Sequence, residues 1–125
     1  RAIMTNLNKI KGSKWESDVA LFLRSYGFDV WRLAQTGAED QGDLAGSGPL
    51  MDWAFECRNR KELSLAKNVD DANDRARCKG SRYGVTIMKR RGRSVSQAYV
   101  AMDLATFTEL LLSTYGMADD GFCAP

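Results

Sequence analysis

Histidine is absent from this chain, and its absence removes whole classes of chemistry. Neither a Ser-His-Asp or Cys-His nucleophilic site nor a histidine-bearing zinc set can be assembled. Cysteine is scarce: Cys57, Cys78 and Cys123 are odd in number and widely spaced, with no CxxC pair, which argues against a structural zinc. With nothing to activate it, Cys57 reads as a small buried hydrophobe rather than a nucleophile. No apolar run approaches the length needed to cross a bilayer, and the first residues lack the apolar segment of a signal peptide. The chain is therefore expected to be soluble and cytoplasmic, with no membrane partner and no organic cofactor. Carboxylates, lysines and arginines remain as the handlers of protons or metals.

The 125 residues, 44% of them hydrophobic, suit one compact domain over 1–125, with loose ends at 1–10 and 117–125. A net charge of +2 says little, but its distribution is uneven. No acidic residue occurs from Arg75 to Met102, whereas Arg75, Arg77, Lys79, Arg82, Lys89, Arg90, Arg91 and Arg93 all fall there. Such a run suits phosphate contacts, and equally suits a solvated face or a protected sheet edge.

Trp15, Val19, Phe22 and Tyr26 fall at helical spacing, and Ser13 with Glu16 reads as a capping box, so the spacing predicts a helix over 13–26. Gly27 ends it. Phe28 to Leu33 alternates Phe28, Val30 and Arg32 against Asp29, Trp31 and Leu33, as a strand of a mostly buried sheet would. A polar loop over 34–42 precedes a short strand at Asp43-Leu44-Ala45, and Gly46-Ser47-Gly48-Pro49 predicts a hairpin turn. Strand character resumes over Met51–Arg58, placing Asp52, Ala54, Glu56 and Arg58 on one face and Met51, Trp53, Phe55 and Cys57 on the other. Leu65, Val69, Ala72 and Ala76 mark a helix over 63–79, followed by strands over 83–89 and 97–102. A leucine-rich helix, capped by Asp103, spans 103–115. The order αβββαββα predicts an α/β fold, a central mixed sheet of about five strands flanked by helices. Trp15, Trp31 and Trp53 sit on amphipathic elements, which favours core or dimer packing over base stacking.

Glu56 and Arg58 leave the same strand face, and the hairpin lays Asp43 beside Glu56. Two adjacent carboxylates raise one another's pKa and need a cation, a proton or a basic neighbour. Mg²⁺ suits them, with Asp43, Glu56 and the backbone carbonyl of Cys57 as ligands and Glu16 binding through water, and Mn²⁺ is expected to substitute. Arg58 would stabilise charge on a phosphoryl group, and Glu16 could accept a proton from attacking water. Plain structural readings stand beside these: Glu16 as a capping residue, Asp43 as a turn residue, Glu56 and Arg58 as an ordinary ion pair. The expected DNA contacts are Lys11, Lys14, Arg32, Arg60, Lys61, Lys89, Arg90, Arg91 and Arg93.

Glu16, then Gly42-Asp43, then Glu56-Cys57-Arg58 resembles the PD-(D/E)xK nucleases, whose core is restriction-endonuclease-like. More narrowly, KGSKWE at Lys11–Glu16, YGFDVWR at Tyr26–Arg32 and Thr36-Gly37 are similar to the archaeal and phage Holliday-junction resolvases. The resemblance covers roughly Lys11 to Met102. It implies a Mg²⁺-dependent homodimer that resolves four-way junctions by paired nicks, with Asp43 and Glu56 as metal ligands and Glu16 as the helix carboxylate. It also implies Thr36 as the loop hydroxyl near the scissile phosphate.

Two departures stand out. Gln41-Gly42 replace the family's proline, and Arg58 stands where lysine is usual. Arginine cannot act as acid or base at ordinary pH, so either it serves as a charge clamp, or Lys67 on the next helix takes the lysine role. A third reading is a weakly active or non-catalytic module that binds branched DNA, and a fourth is a nuclease for flaps or duplex.

Overall fold

The fold, given by a computed structural model, is described for residues 2–34 and 42–116, the side chains of 2–11 excepted. Its elements are α1 (Ala2–Arg24), β1 (Val30–Arg32), β2 (Leu44–Gly46), β3 (Trp53–Arg58), α2 (Leu65–Lys79), β4 (Tyr83–Met88), β5 (Tyr99–Ala101) and α3 (Leu104–Tyr115). Short 3₁₀ turns at Gly48–Asp52 and Val95–Gln97 precede β3 and β5. The strands lie side by side in chain order, β3 and β4 parallel and the other pairs antiparallel. The parallel pair needs a crossover, and α2 supplies it. Element order and the mixed sheet agree with the sequence expectation. Among the described residues no helix is long and apolar enough to cross a membrane.

Alternation along β3 and β4 splits the molecule into layers. Phe55, Cys57, Val85 and Ile87 turn toward α1 and form the core with Trp15, Val19, Ala20, Val30 and Leu44. The indole of Trp15 donates to the Ile87 carbonyl at 3.2 Å, so its one polar atom is satisfied inside this core. The opposite face meets α2 through Asn68, Ala72 and Ala76. These residues are small, and the approach is correspondingly close: a Cβ on Gly84 would lie 2.4 Å from the Ala72 carbonyl oxygen. Gly84→Ala is therefore expected to push α2 off the sheet and lower stability by about 1–3 kcal/mol, read from the urea midpoint.

Several local expectations are corrected. α1 begins well before Ser13, so Ser13 and Glu16 lie inside the helix and form no capping box there. β1 is a three-residue edge strand with only Val30 buried, while Trp31 is 41% exposed and Phe28 also faces outward. It is therefore not a strand of a mostly buried sheet, and Trp31 lies outside the core. Met51 and Asp52 belong to the 3₁₀ turn rather than to β3. Leu65 is 56% exposed, so the buried stripe of α2 is carried by Asn68 in its place. The N-cap of α3 is as expected: the Asp103 carboxylate accepts the Thr106 N–H at 2.8 Å.

Candidate active site

Asp43 is clamped before its side chain is considered. Its N–H donates to Phe55 O at 2.7 Å, and its carbonyl accepts from Leu33 N–H at 2.9 Å, so the backbone is tied between neighbouring strands. Gly42 permits this: its φ is +106°, and a Cβ there would lie 2.9 Å from Phe55 O. Proline, with φ fixed near −65°, cannot adopt that conformation. The Asp43 carboxylate then turns along β3 and accepts the Cys57 N–H at 2.7 Å.

Arg58 brings the carboxylates together. Its Nη2 lies 2.6 Å from Glu56 Oε1, and its Nη1 lies 3.7 Å from Asp43 Oδ2. Nη1 also donates to the Cys57 carbonyl at 3.2 Å. The three oxygens expected to hold Mg²⁺ therefore surround a single guanidinium. Glu56 is only 2% exposed, and its other oxygen lies 3.5 Å from Nε of Arg75 on α2. A buried carboxylate between two arginines is worth little net stability but is costly to break, because each guanidinium would be left in a poor solvent.

Two participants are not apparent from the strand pattern. Asp71 on α2 holds Arg58 Nη2 at 3.2 Å and Lys67 Nζ at 2.9 Å. Arg75, read in sequence as part of the basic run, turns inward onto Glu56. The signal was present: Lys67, Asp71 and Arg75 recur every four residues beside the buried stripe of α2. Lys67 is 73% exposed on its ion pair with Asp71, and Asp71 in turn meets Arg58, so Asp71 and Arg58 stand between Lys67 and the carboxylates of Asp43 and Glu56.

Glu16 faces the same place from α1. Arg32 donates to it at 3.1 Å and to the Ser13 hydroxyl at 3.0 Å, so Arg32 orients Glu16 as well as presenting charge. Glu16, Asp43, Cys57 and Arg58 line an open cleft of about 410 Å³, together with Gly12, Asn59, Arg60 and Lys61. Glu56 does not line it and sits behind Arg58. Arg60 and Lys61 also line an adjoining cleft with Lys89, Arg90, Arg91 and Arg93. Lys14, Lys89 and Arg91 line a third. These shared residues join the clefts into one basic strip. Lys14 is paired with Asp18 at 3.1 Å, Lys89 lies over the Trp15 ring and Arg90 over Tyr99. Thr36 and the Lys11 side chain fall outside the described residues.

Burial and the Glu56 charge push the Asp43 carboxyl up to about 7, against the Cys57 N–H and Arg58, which pull it down. Burial opposes the charge on Arg58, but Glu56 and Asp43 outweigh it and hold the guanidinium above its ordinary value. Because the native pKa of Asp43 exceeds its unfolded value, the native state binds this proton more tightly, and the associated stability is lost as pH rises from about 4 to 7. The metal-free protein is expected to lose roughly 2–4 kcal/mol between pH 4.5 and 8, measured by urea unfolding. The carboxyl of Asp71, held down by Lys67, and that of Asp103, held down by Thr106, titrate beneath that window.

The donor set fits a hard divalent cation, since two carboxylates and a carbonyl already converge on one positive centre. Among the described residues no three Asp, Glu, Cys or His side chains form a metal cage, so water and a phosphate would complete the coordination sphere.

No family model and no curated protein matches this sequence. Among solved structures, it is similar to Hjc of Archaeoglobus fulgidus, a Holliday junction resolvase from an archaeal hyperthermophile. The two are 22% identical, and the match covers 78% of this chain and 93% of that one with a TM-score of 0.50. The mixed five-stranded sheet with its three helices is thus the α/β nuclease fold of that resolvase.

Proposed function

We propose that this chain is a Mg²⁺-dependent endodeoxyribonuclease that resolves branched DNA, four-way junctions above all, as an intracellular homodimer. The observation that carries the reading is the convergence of Asp43, Glu56 and the Cys57 carbonyl on one cationic position. That position lies at a cleft that opens on a basic strip. Mg²⁺, or Mn²⁺ in its stead, supplies Lewis acidity there, acidifying water and offsetting charge on the phosphoryl oxygens.

The chain's own residues do the rest. Asp43 and Glu56 provide the ligand charge, and the Cys57 carbonyl a third oxygen. Arg58, permanently charged, stabilises developing negative charge and moves no proton. Glu16, oriented by Arg32, is the carboxylate in reach of a proton released into the cleft. Arg60, Lys61, Lys89, Arg90, Arg91 and Arg93 track phosphates along an arm, so affinity should fall steeply with salt. Leu104, Phe107 and Leu111 are exposed at helical spacing on α3, an apolar face that supports the homodimer.

One observation favours a second reading. Arg58 already neutralises part of the charge on Asp43 and Glu56, which suits a non-catalytic module that binds branched DNA. Four-way, flap and linear DNA incubated with the protein, with and without Mg²⁺, separate the two. Paired nicks in the four-way junction that vanish in EDTA are expected, and the absence of cleavage on every substrate would leave only the binding module.

A further inference from the structure

We infer that Arg58 is a displaceable internal counter-ion, whose guanidinium holds the divalent-metal position in the DNA-free protein and is drawn off by a DNA phosphate, so that metal loads preferentially onto the DNA-bound site. This deepens the nuclease reading and rests on it for the identity of the ligands.

The geometry is one of direct competition. Nη2 on Glu56 at 2.6 Å and Nη1 on the Cys57 carbonyl at 3.2 Å occupy the oxygens that an octahedral cation would need at about 2.0–2.1 Å. Both cannot be seated at once, and Glu56 lies behind Arg58 rather than in the cleft. The planar fork spreads its charge over two nitrogens that face the three oxygens, whereas the ammonium of lysine is a single compact point charge.

Arg58 also has somewhere to go. It is 19% exposed, lines the open cleft and keeps a second anchor in Asp71 at 3.2 Å on the neighbouring helix. Arg60 and Lys61 line the same cleft and would bring a phosphate to it, and phosphate pairs bidentately with a guanidinium at least as well as a carboxylate does. Once Arg58 turns to that phosphate, Asp43 and Glu56 lose the cation they share, Glu56 keeping Arg75 on its other oxygen, and their joint affinity for a divalent ion rises. Linkage makes the effect reciprocal: the factor by which DNA tightens metal binding equals the factor by which metal tightens DNA binding.

Calorimetry of Mn²⁺ binding to the full chain tests this without reference to cleavage. In the absence of DNA, Arg58→Met is expected to bind Mn²⁺ at least tenfold more tightly than wild type, with Arg58→Lys between them. The melting temperature of Arg58→Met should fall without metal and recover with Mn²⁺, and Arg58→Lys keeps the test open if Arg58→Met folds poorly. With Ca²⁺ as the ion, four-way junction DNA should raise metal affinity strongly in wild type and less in Arg58→Met. Variants that bind Mn²⁺ no more tightly than wild type, or coupling unchanged by Arg58→Met, would overturn the inference. If wild type still nicks junctions after such a result, the nuclease reading survives alone. If the Mn²⁺ gain and the coupling appear but no DNA is cut, Arg58 remains the counter-ion and the nuclease reading falls.

Discussion

Asp43→Asn is expected to reduce Mg²⁺-dependent cleavage by about 10²–10³-fold or more, and at the same time to make the metal-free protein more stable than wild type at pH 8. The two effects share one cause. Burial and the Glu56 charge place the Asp43 carboxyl at about 7, so above that pH the folded state carries a carboxylate that its surroundings disfavour. Asparagine keeps an oxygen to accept the Cys57 N–H and removes the charge, which relieves the fold and strips the site of a proposed metal ligand. Cleavage of a four-way junction and urea unfolding, both at pH 8, check the pair of signs. A variant that loses activity and stability together would mean that Asp43 is a structural hydrogen-bonding residue.

Glu56→Gln is expected to behave differently, losing activity to a similar degree and stability as well, by about 3–5 kcal/mol. Its carboxylate lies within ion-pair distance of Arg58 and Arg75, at 2.6 and 3.5 Å, in a position only 2% exposed. Removing the negative charge leaves two guanidiniums facing one another with a neutral amide between them. The contrast between the two substitutions follows from which charge each carboxylate meets first: Glu56 is enclosed by arginines, whereas Asp43 is dominated by burial and by Glu56 itself. Unfolding of both variants in parallel reads this contrast directly, and equal destabilisation would contradict it.

Much of this site was legible because strands have a period of two. Glu56 and Arg58 share a face by that rule alone, and the glycine-rich segment at 46–48 brings Asp43 back beside them. The apolar partners Phe55 and Cys57 likewise fall to the opposite core. What the sequence hid was long-range. Asp71 and Arg75 belong to a helix whose rotation is set by Gly84 and by the small stripe of Asn68, Ala72 and Ala76, and helical spacing alone put Leu65 in that stripe. Ser13 and Glu16 imitate a capping box because Ser-x-x-Glu inside a helix reads the same as Ser-x-x-Glu at its start. The spacing of Ile3, Leu7 and Ile10 was the signal that α1 began earlier. Phe28 and Trp31 looked buried because hydrophobicity does not distinguish an edge strand from a central one.

Arg58 is where local chemistry and function meet. An arginine has no acid or base role at ordinary pH, and in the fold it becomes the cation that two carboxylates and a carbonyl surround. The same contact explains how Asp43 and Glu56 sit close together in the fold, and on the proposed reading it is what must yield before a divalent ion can enter.

The most direct test is diffraction from crystals of the protein with a four-way junction, soaked in Mn²⁺ and measured at the manganese edge. An anomalous peak within about 2.5 Å of oxygens from both Asp43 and Glu56, with the Arg58 guanidinium moved onto a phosphate, is the predicted result. Junction DNA bound in the cleft with no manganese between those carboxylates, and Arg58 still seated on both, would contradict the account.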